Sequence, residues 1–402
     1  MAVGVLLKTV VAEIDLPSPS TLMAERIEAA VAVARQHADA VDADARFPYE
    51  TFSALRAGGL LGLMLPVAVG GEGASVSDVA SVCYALGRAC SSSAMIYAMH
   101  QANIACLSQN PDDNPRFTSY LRRIAERQLL IASSTTEGQN GANIRSSVSA
   151  VIRNDKGFSL SRDASVVSYG DAADVILSTA RRSEDAVATD QALVLLFKDD
   201  YTLARSVKWD VLGMRGTCSE GFKLEARGEA EQVLSTPYER IHRHSMLPVT
   251  HLMWAACWAG IAAGAVERAQ GFVRKVSRTT KGVLPPGAPS ATDASLSLMT
   301  LTRMVSGALA DYATRVGNDD AIEDISFQTS LNMLKVSASE LAIKTIMHAL
   351  NATGIAGYRN DSEFSIGRSL RDILSSSVMI NNNRIMSNVA TASLLAGVPE
   401  RL

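Results

Sequence analysis

The sequence has few aromatic residues and almost no net charge. Phe, Trp and Tyr make up 5% of the 402 residues, while Ala, Leu, Ser and Val are abundant, which favours helices packed through small side chains. The 38 Lys and Arg nearly balance the 41 Asp and Glu, for a net charge of −3. This balance provides no electrostatic attraction to nucleic acid or to an anionic membrane. A hydrophobic share of 47% argues against a disordered chain.

Cysteine is also scarce. The five cysteines are odd in number and none lies in a Cys-x-x-Cys pair, so we expect a reduced, cytoplasmic protein without a disulfide framework. The histidines His242, His244 and His251 have Glu239 as the only nearby carboxylate, and we predict no metal site. The longest apolar stretch without a charge, Leu252–Val266, is too short for a membrane span and is typical of a buried helix.

Three regions differ in the period of their apolar residues. The period is helical over residues 19–129, close to two over 130–234, and helical again over 238–402. We therefore predict an α+β protein. It has an N-terminal all-α domain, a central antiparallel β-barrel or sandwich, and a C-terminal four-helix bundle.

Four amphipathic segments predict the bundle, at about residues 247–276, 292–317, 326–353 and 365–395. In the first segment, the four-residue spacing of Gly260 and Gly264 predicts the close approach of another backbone. In the third, Lys335, Glu340 and Lys344 predict a solvated helix face.

Seven short motifs follow one another along the chain. They are Arg46-Phe-Pro48, Thr136-Glu137 with Gly141, Val166-Val-Ser168, Leu212-Gly-Met-Arg-Gly-Thr217, Arg278-Thr-Thr-Lys-Gly282, Asn351-Ala-Thr-Gly354 and Arg371-Asp372. Their order and spacing resemble the acyl-CoA dehydrogenase superfamily, whose members share the helix–β–helix order and about this length.

The resemblance implies FAD bound between the β domain and the bundle. The positions that match the family's cofactor site are Thr136, Ala142, Ser168, Arg278, Thr280, Asn351, Gly354 and Asn382. Hydroxyl groups at 136 and 168 would hydrogen-bond the flavin ring, and Arg278 would hold the pyrophosphate. The family takes this Arg from a neighbouring subunit, which implies a homotetramer or homodimer. Two plainer interpretations remain open: Arg278 as a solvated charge and Gly354 as a helix C-cap.

One residue of the family is missing from its usual place. A catalytic glutamate commonly follows the Arg of the Arg-Asp pair by about nine residues, and Ile380 stands at that position here. Some members carry the base on the first bundle helix, where Thr250 aligns. His251, one residue further, is a weak candidate for the base, since a histidine on an apolar helix is more often a core residue. Val166 in place of a Trp, and Lys281 in place of a Phe, also depart from the family.

These departures leave two reactions open, of which the first is the leading hypothesis from the sequence. The first is FAD-dependent α,β-dehydrogenation of an acyl thioester, on coenzyme A or a carrier, with an electron-transfer flavoprotein as electron acceptor. The second is two-component flavin monooxygenation, which needs no carboxylate base and uses reduced flavin from a separate reductase. For it, the sequence offers Ser168, His100, Asn382 and Asn383 as hydrogen-bond donors. A cofactor-free structural paralogue is a third interpretation.

Overall fold

The computed structural model describes residues 21–110, 114–140, 143–155 and 157–395. Its N-terminal region is helical, with α1 (Thr21–Ala43), α2 (Tyr49–Ala57), α3 (Val76–Gly87), α4 (Ser91–Ser108) and α5 (Pro115–Arg127). The Ser75 hydroxyl begins α3 by accepting from the amide of Asp78, whose carboxylate accepts from the Ser75 amide. Every residue of α4 from Ser91 to Leu107 except Met99 is buried, so this helix runs through the interior.

Two sheets follow the helices. They contain β1 (Ile131–Ser134), β2 (Ile152–Asn154), β3 (Gly157–Val167), β4 (Val175–Arg181), β5 (Gln191–Phe197), β6 (Tyr201–Val207) and β7 (Glu220–Gly228). The first sheet has the order β1-β4-β5 and the second the order β2-β3-β7-β6. All seven residues of β5 and six of the seven in β4 are buried, because this sheet lies between the helices and the other sheet.

The predicted α+β class is confirmed, and its β part takes the two-sheet form. No closed barrel forms among the described residues. One detail of the antiparallel prediction is wrong, because β1 and β4 pair in parallel. The chain leaves β1, forms β2 and β3 in the second sheet, and returns to β4 in the same direction as β1. Short apolar strands do not reveal such a crossover by their period alone.

Helices return after the strands. They are α6 (Tyr238–Ile241), α7 (Leu247–Thr279), α8 (Ala288–Arg315), α9 (Asp319–Glu323), α10 (Ile325–Thr353), α11 (Ile355–Tyr358), α12 (Gly367–Ile373) and α13 (Asn382–Leu395). The stretch Tyr238–Thr279 alone among the described helices is long and apolar enough to cross a membrane. Its apolar window is 94% buried inside the protein, as expected for a core helix.

The fourth predicted bundle segment is not one helix. It is divided into α12, a 3-10 turn at Leu374–Ser377 and α13. The sequence across the break contains three serines and then three asparagines, whose side chains compete with helical hydrogen bonds. The Asn381 side chain, for example, accepts from the amide of Asn383 at 2.8 Å, in the first turn of α13.

The predicted close approach at Gly260 and Gly264 is confirmed. A Cβ on Gly260 would lie 2.2 Å from the carbonyl oxygen of Tyr84, and one on Gly264 would lie 2.9 Å from that of Arg88. On α3, a Cβ on Gly87 would lie 2.6 Å from the carbonyl oxygen of Cys257. Helices α3 and α7 therefore pack backbone to backbone through glycines on both sides.

Candidate functional site

A cluster of hydroxyl groups lies where β1 and β3 end. The Ser165 hydroxyl donates to Thr136 Oγ1 at 3.3 Å. Further along, Ser168 Oγ and Ser219 Oγ lie 2.8 Å apart, Ser219 Oγ and Thr217 Oγ1 also lie 2.8 Å apart, and Thr217 donates to the carbonyl of Met214 at 2.9 Å. Thr136 and Ser168, both predicted from the sequence, are half-buried and belong to this one edge.

Each hydroxyl has one hydrogen to donate. In one consistent assignment, Thr217 donates to the Met214 carbonyl, Ser219 donates to Thr217, and Ser168 donates to Ser219. In that assignment Ser168 presents accepting lone pairs to the site, where the sequence predicted a donor. Thr136 accepts from Ser165 and keeps its own hydrogen, which has no acceptor among the described residues.

A buried ion pair fixes the chain beside Thr136. The carboxylate of Glu137 accepts from the amides of Val148 at 2.7 Å and Ser149 at 3.0 Å, and from the Ser149 hydroxyl at 2.5 Å. Arg162 Nη1 lies 3.7 Å from the same carboxylate and donates to the carbonyl of Thr179. Burial would raise the pKa of Glu137, but Arg162 and these donors bring it below its usual value. Burial lowers the pKa of Arg162 to about 10.

Two of the motifs named from the sequence meet in space. Asp372 Oδ1 accepts from the amide of Met214 at 2.7 Å, and Arg371 donates to the carbonyl of Leu212 at 3.1 Å. A Cβ on Gly213 would lie 2.1 Å from the Arg371 carbonyl oxygen, so this contact requires glycine. Burial raises the pKa of Asp372. The strand domain is thus held against α12, which ends seven residues before the position of the expected glutamate.

At position 380, where the glutamate was expected, the main-chain carbonyl accepts a hydrogen bond from a buried lysine. Lys335 on α10 is completely buried, and its ammonium donates to the carbonyl of Ile380 at 2.7 Å. It also donates to the carbonyl of Ser376 at 3.0 Å and to the side-chain oxygen of Asn382 at 2.7 Å. The prediction of a solvated face is wrong for Lys335, while Glu340 and Lys344 are exposed as predicted. Burial lowers the pKa of Lys335 to about 8.

The sequence contained a signal for this buried lysine. Lys335 is four residues after Leu331 and three before Ala338, and all three are buried on one stripe of α10. The interpretation as a solvated face relied on residue type instead of this spacing. The hydroxyls of Ser219 and Thr217 were missed for a different reason: their role depends on the turn after Met214, which has no periodic pattern.

His251 and His100, the two histidines considered for the reaction, are core residues. His251 is buried, and its Nδ1 lies 3.1 Å from the carbonyl oxygen of Leu331, with which it shares a hydrogen bond. Burial lowers the pKa of His251 to about 3, which makes it a poor base at neutral pH. His100 accepts from the amide of Ile131 at Nδ1 and contacts the carbonyl of Leu61 at Nε2, so it joins α4 to β1. Both of its nitrogens are occupied.

The remaining predicted positions form a second, exposed surface. Arg278 and Thr280 end α7, while Asn351 and Gly354 end α10. A Cβ on Gly287 would lie 2.3 Å from the Ala352 carbonyl oxygen, so the start of α8, which follows α7 in the chain, is in contact with the end of α10. The Thr280 hydroxyl is used locally, near the carbonyls of Val276 and Val283, and Gly354 is the C-cap of α10. Exposed apolar side chains surround them: Val283, Leu284, Ile355 and Tyr358.

This second surface is distant along α7 from the strands. Helix α6, which leads into α7, contacts β5, whereas Arg278 lies at the opposite end of a helix about 50 Å long. Asn382 belongs to neither surface and bonds Lys335 and Ser339. Ala142 lies outside the described residues. Within the described part of the chain, no group of three or more His, Cys, Asp or Glu side chains is placed to hold a metal ion.

Comparisons with known proteins match most of the chain. The family model described as acyl-CoA dehydrogenase, N-terminal domain, matches residues 22–126. A cyclohex-1-ene-1-carbonyl-CoA dehydrogenase of Geobacter metallireducens is 25% identical over 346 residues, which cover 84% of this chain and 87% of that protein. An acyl-CoA dehydrogenase of Bacillus subtilis is 22% identical over 366 residues, covering 87% and 91%.

Solved structures share the fold. FMN-bound TdsC from Paenibacillus sp. A11-2 has a TM-score of 0.78 at 20% identity and covers 93% of this chain and 98% of its own. KijD3 in complex with dTDP has a TM-score of 0.79 at 20% identity, covering 94% and 98%. Since the N-terminal family model and the relatives along most of the chain agree with this fold, the protein belongs to the acyl-CoA dehydrogenase superfamily.

Proposed function

We propose that this protein is a flavin-dependent oxidoreductase. The observation that carries the proposal is the hydroxyl edge, which offers a donor at Thr136 and an acceptor at Ser168 beside the contact between Met214 and Asp372. Such a set fits the polar edge of an isoalloxazine ring, which has both acceptors and N–H donors. Val166, where the family has a Trp, is 43% exposed beside this edge and leaves room for the ring. The FMN in the related TdsC structure supports the same cofactor class.

The bound flavin would supply the capacity to take up or release two electrons. The protein's residues would hold and orient it. Thr136 would donate to a ring acceptor, and Ser168 would accept from a ring N–H.

The contact at residue 380 favours a reaction that needs no carboxylate base at that position. Removing the α-proton of a thioester requires a base, commonly a carboxylate. Here Ile380 stands at the expected position, and the ammonium of Lys335 bonds its carbonyl oxygen with no N–H left over for a substrate. We therefore propose two-component monooxygenation as the finer function. One oxygen atom of O2 enters the substrate and the other leaves as water, with two electrons from reduced flavin. A flavin reductase would be the partner.

Dehydrogenation of an acyl thioester is the second candidate. The sequence relatives favour it, because they are named as dehydrogenases of acyl-CoA compounds and they align with most of this chain. For this reaction, an electron-transfer flavoprotein would be the partner, and a base outside the residue 380 position would be needed. FAD is the form of flavin proposed for either reaction. A homo-oligomer and a cytoplasmic location belong to the same proposal.

One paired experiment separates the two reactions. The FAD-loaded protein is mixed anaerobically with a panel of acyl-CoA thioesters, and flavin absorbance near 450 nm is followed. Separately, the protein receives reduced FAD or FMN from an added reductase, together with O2 and aromatic or amine substrates, and products are examined for added oxygen. We expect no bleaching in the first arm and an oxygenated product in the second. Bleaching by an acyl-CoA would establish dehydrogenation instead, and a protein that binds neither FAD nor FMN would exclude both.

A further inference from the structure

The ammonium of Lys335 lies inside the bundle and is bonded by neutral acceptors alone. Its three hydrogens go to the carbonyls of Ser376 and Ile380 and to the side chain of Asn382. An ammonium has three donors, so its capacity is filled. Two of the acceptors are main-chain carbonyls at the C-terminal side of the 3-10 turn, where a positive charge is favourable. One side chain thus joins α10 to both ends of residues 376–382.

This segment contains a strained residue. Ile380 has a φ of 49°, in the left-handed region that a β-branched residue rarely adopts. Such a conformation persists only where the surroundings determine it. The Lys335 bond to the Ile380 carbonyl, at 2.7 Å, lies on the strained residue itself. Asn382 adds a second link, because its amide donates to the hydroxyl of Ser339, one turn after Lys335, at 2.9 Å.

Polar groups without partners surround the same ammonium. The Lys335 nitrogen lies 5.8 Å from the ring centre of Trp258, and the Trp258 ring lies 6.2 Å from that of Trp254. The indole nitrogens of both tryptophans, and the Ser376 hydroxyl, are buried and have no hydrogen-bond partner in the described structure. Buried donors left open are costly in an ordinary core.

We propose that Lys335 is a positioning residue, which holds residues 376–382 and thereby places the side chain of Ile380 at the reacting side of the flavin site. The second half of this statement rests on the proposed function. The first half concerns the chain alone. The Ile380 side chain is 38% exposed, so it is presented to a cavity or to solvent and is not packed in the core. The resemblance assigns a carboxylate to position 380, and a buried cation lies behind that position here.

Hydrogen–deuterium exchange tests the first half without any cofactor. In Lys335→Met, which keeps the length of the side chain and removes its charge, we expect the amides of residues 376–383 to exchange roughly tenfold faster or more, with α3 unchanged. Lys344→Met, an exposed lysine on the same helix, is the matched control and should exchange as wild type does. Equal exchange of the segment in wild type and Lys335→Met would overturn the proposal. If Lys335→Met does not fold, Asn382→Ala, which removes one of the three acceptors, should give a smaller increase in the same segment.

A spectroscopic readout tests the second half. FMN or FAD is added to each folded variant, and the visible circular dichroism of the bound flavin is recorded. We expect Lys335→Met to change this spectrum while binding the flavin within about threefold of the wild-type Kd, and Lys335→Arg to restore part of it. Faster exchange with an unchanged flavin spectrum would overturn the placement at the reacting side. If wild-type protein binds no flavin, the proposed function fails, and the exchange experiment still decides the role of Lys335.

Discussion

At the scale of single residues, the charge and hydrogen bonds of a buried polar group depend on the residues that contact it, as Glu137 illustrates. Glu137 is 3% exposed, and its carboxylate is bonded by two amides and a hydroxyl, with Arg162 behind it. Glu137 is the residue after Thr136, so the contacts of the pair hold the backbone next to that hydroxyl. A buried pair of this kind contributes little net stability when intact, but removal of one partner leaves an uncompensated charge.

We expect Glu137→Gln to lower the free energy of unfolding at pH 7 by about 3 kcal/mol, because Arg162 stays buried without its carboxylate. Urea denaturation measures this change. Glu225→Gln is the control: Glu225 is exposed on β7, and its loss should change the free energy by less than about 0.5 kcal/mol. A loss in Glu137→Gln no larger than that of the control would contradict the role of the pair.

The same pair predicts a dependence on pH. The pKa of Glu137 is lower in the folded protein than its ordinary value of 4.5. The carboxylate therefore contributes fully above the unfolded value, and the contribution is lost as pH falls below 4.5 through the folded value. Wild type should lose more stability than Glu137→Gln between pH 5 and pH 3. Parallel acid titrations of the two proteins would show whether their curves converge.

Residue types alone predicted some of these positions and missed others. Thr136 and Ser168 were identified from motifs, and the structure brings both to one edge. The partners of Ser168 could not be predicted, because its hydroxyl belongs to a hydrogen-bond chain through Ser219 and Thr217 that forms only in three dimensions. Lys335 was assigned to solvent by its charge, although its spacing matched the buried stripe. Sequence identifies which side chains are present, while their hydrogen-bond directions come from packing.

At the scale of elements, the glycine contact between α3 and α7 was predicted from a spacing of four, and the break between α12 and α13 was not. Small residues four apart on an apolar helix leave a groove on one face, which is a local property. The break depends on side chains that compete with the helix only weakly. It is stabilised by Lys335, from a helix some 40 positions earlier in the sequence. Long-range contacts of this kind have no local signature.

The glycine contact carries an element-scale prediction. We expect Gly260→Ala to destabilise the protein by about 2 kcal/mol or more, because the new Cβ would lie 2.2 Å from the Tyr84 carbonyl oxygen and force α3 away from α7. Gly307→Ala on α8 is the matched control, since nothing lies within 4 Å of its added Cβ. It should be neutral or stabilising by up to about 1 kcal/mol, the usual preference of a helix for Ala. Thermal unfolding of both variants checks this, and equal melting temperatures would refute a close-packed interface.

At the scale of the whole molecule, the described cofactor positions other than Asn382 lie in two groups. The hydroxyls of Thr136 and Ser168 belong to the strands, and Arg278 and Asn351 lie at the far ends of α7 and α10. Exposed apolar side chains such as Ile355 and Tyr358, each 73% exposed, accompany the second group. A site shared between two copies of the chain explains both facts, since one copy would contribute the hydroxyls and its neighbour the arginine. This arrangement stays a prediction, and it can be tested directly.

If the site is shared between two chains, hybrids of two different variants should bind more flavin than either variant alone. We expect Arg278→Ala and Thr136→Val each to reduce retained flavin roughly tenfold when purified alone, while Arg274→Ala, one turn earlier on α7, retains it. When the first two variants carry different affinity tags and are co-expressed, hybrids isolated through both tags contain sites with neither substitution. In a two-chain hybrid, about half of the sites are intact, so flavin absorbance per chain should recover to about half of the wild-type value. A site built within one chain would leave every hybrid site damaged, and the hybrids would be as poor in flavin as their parents.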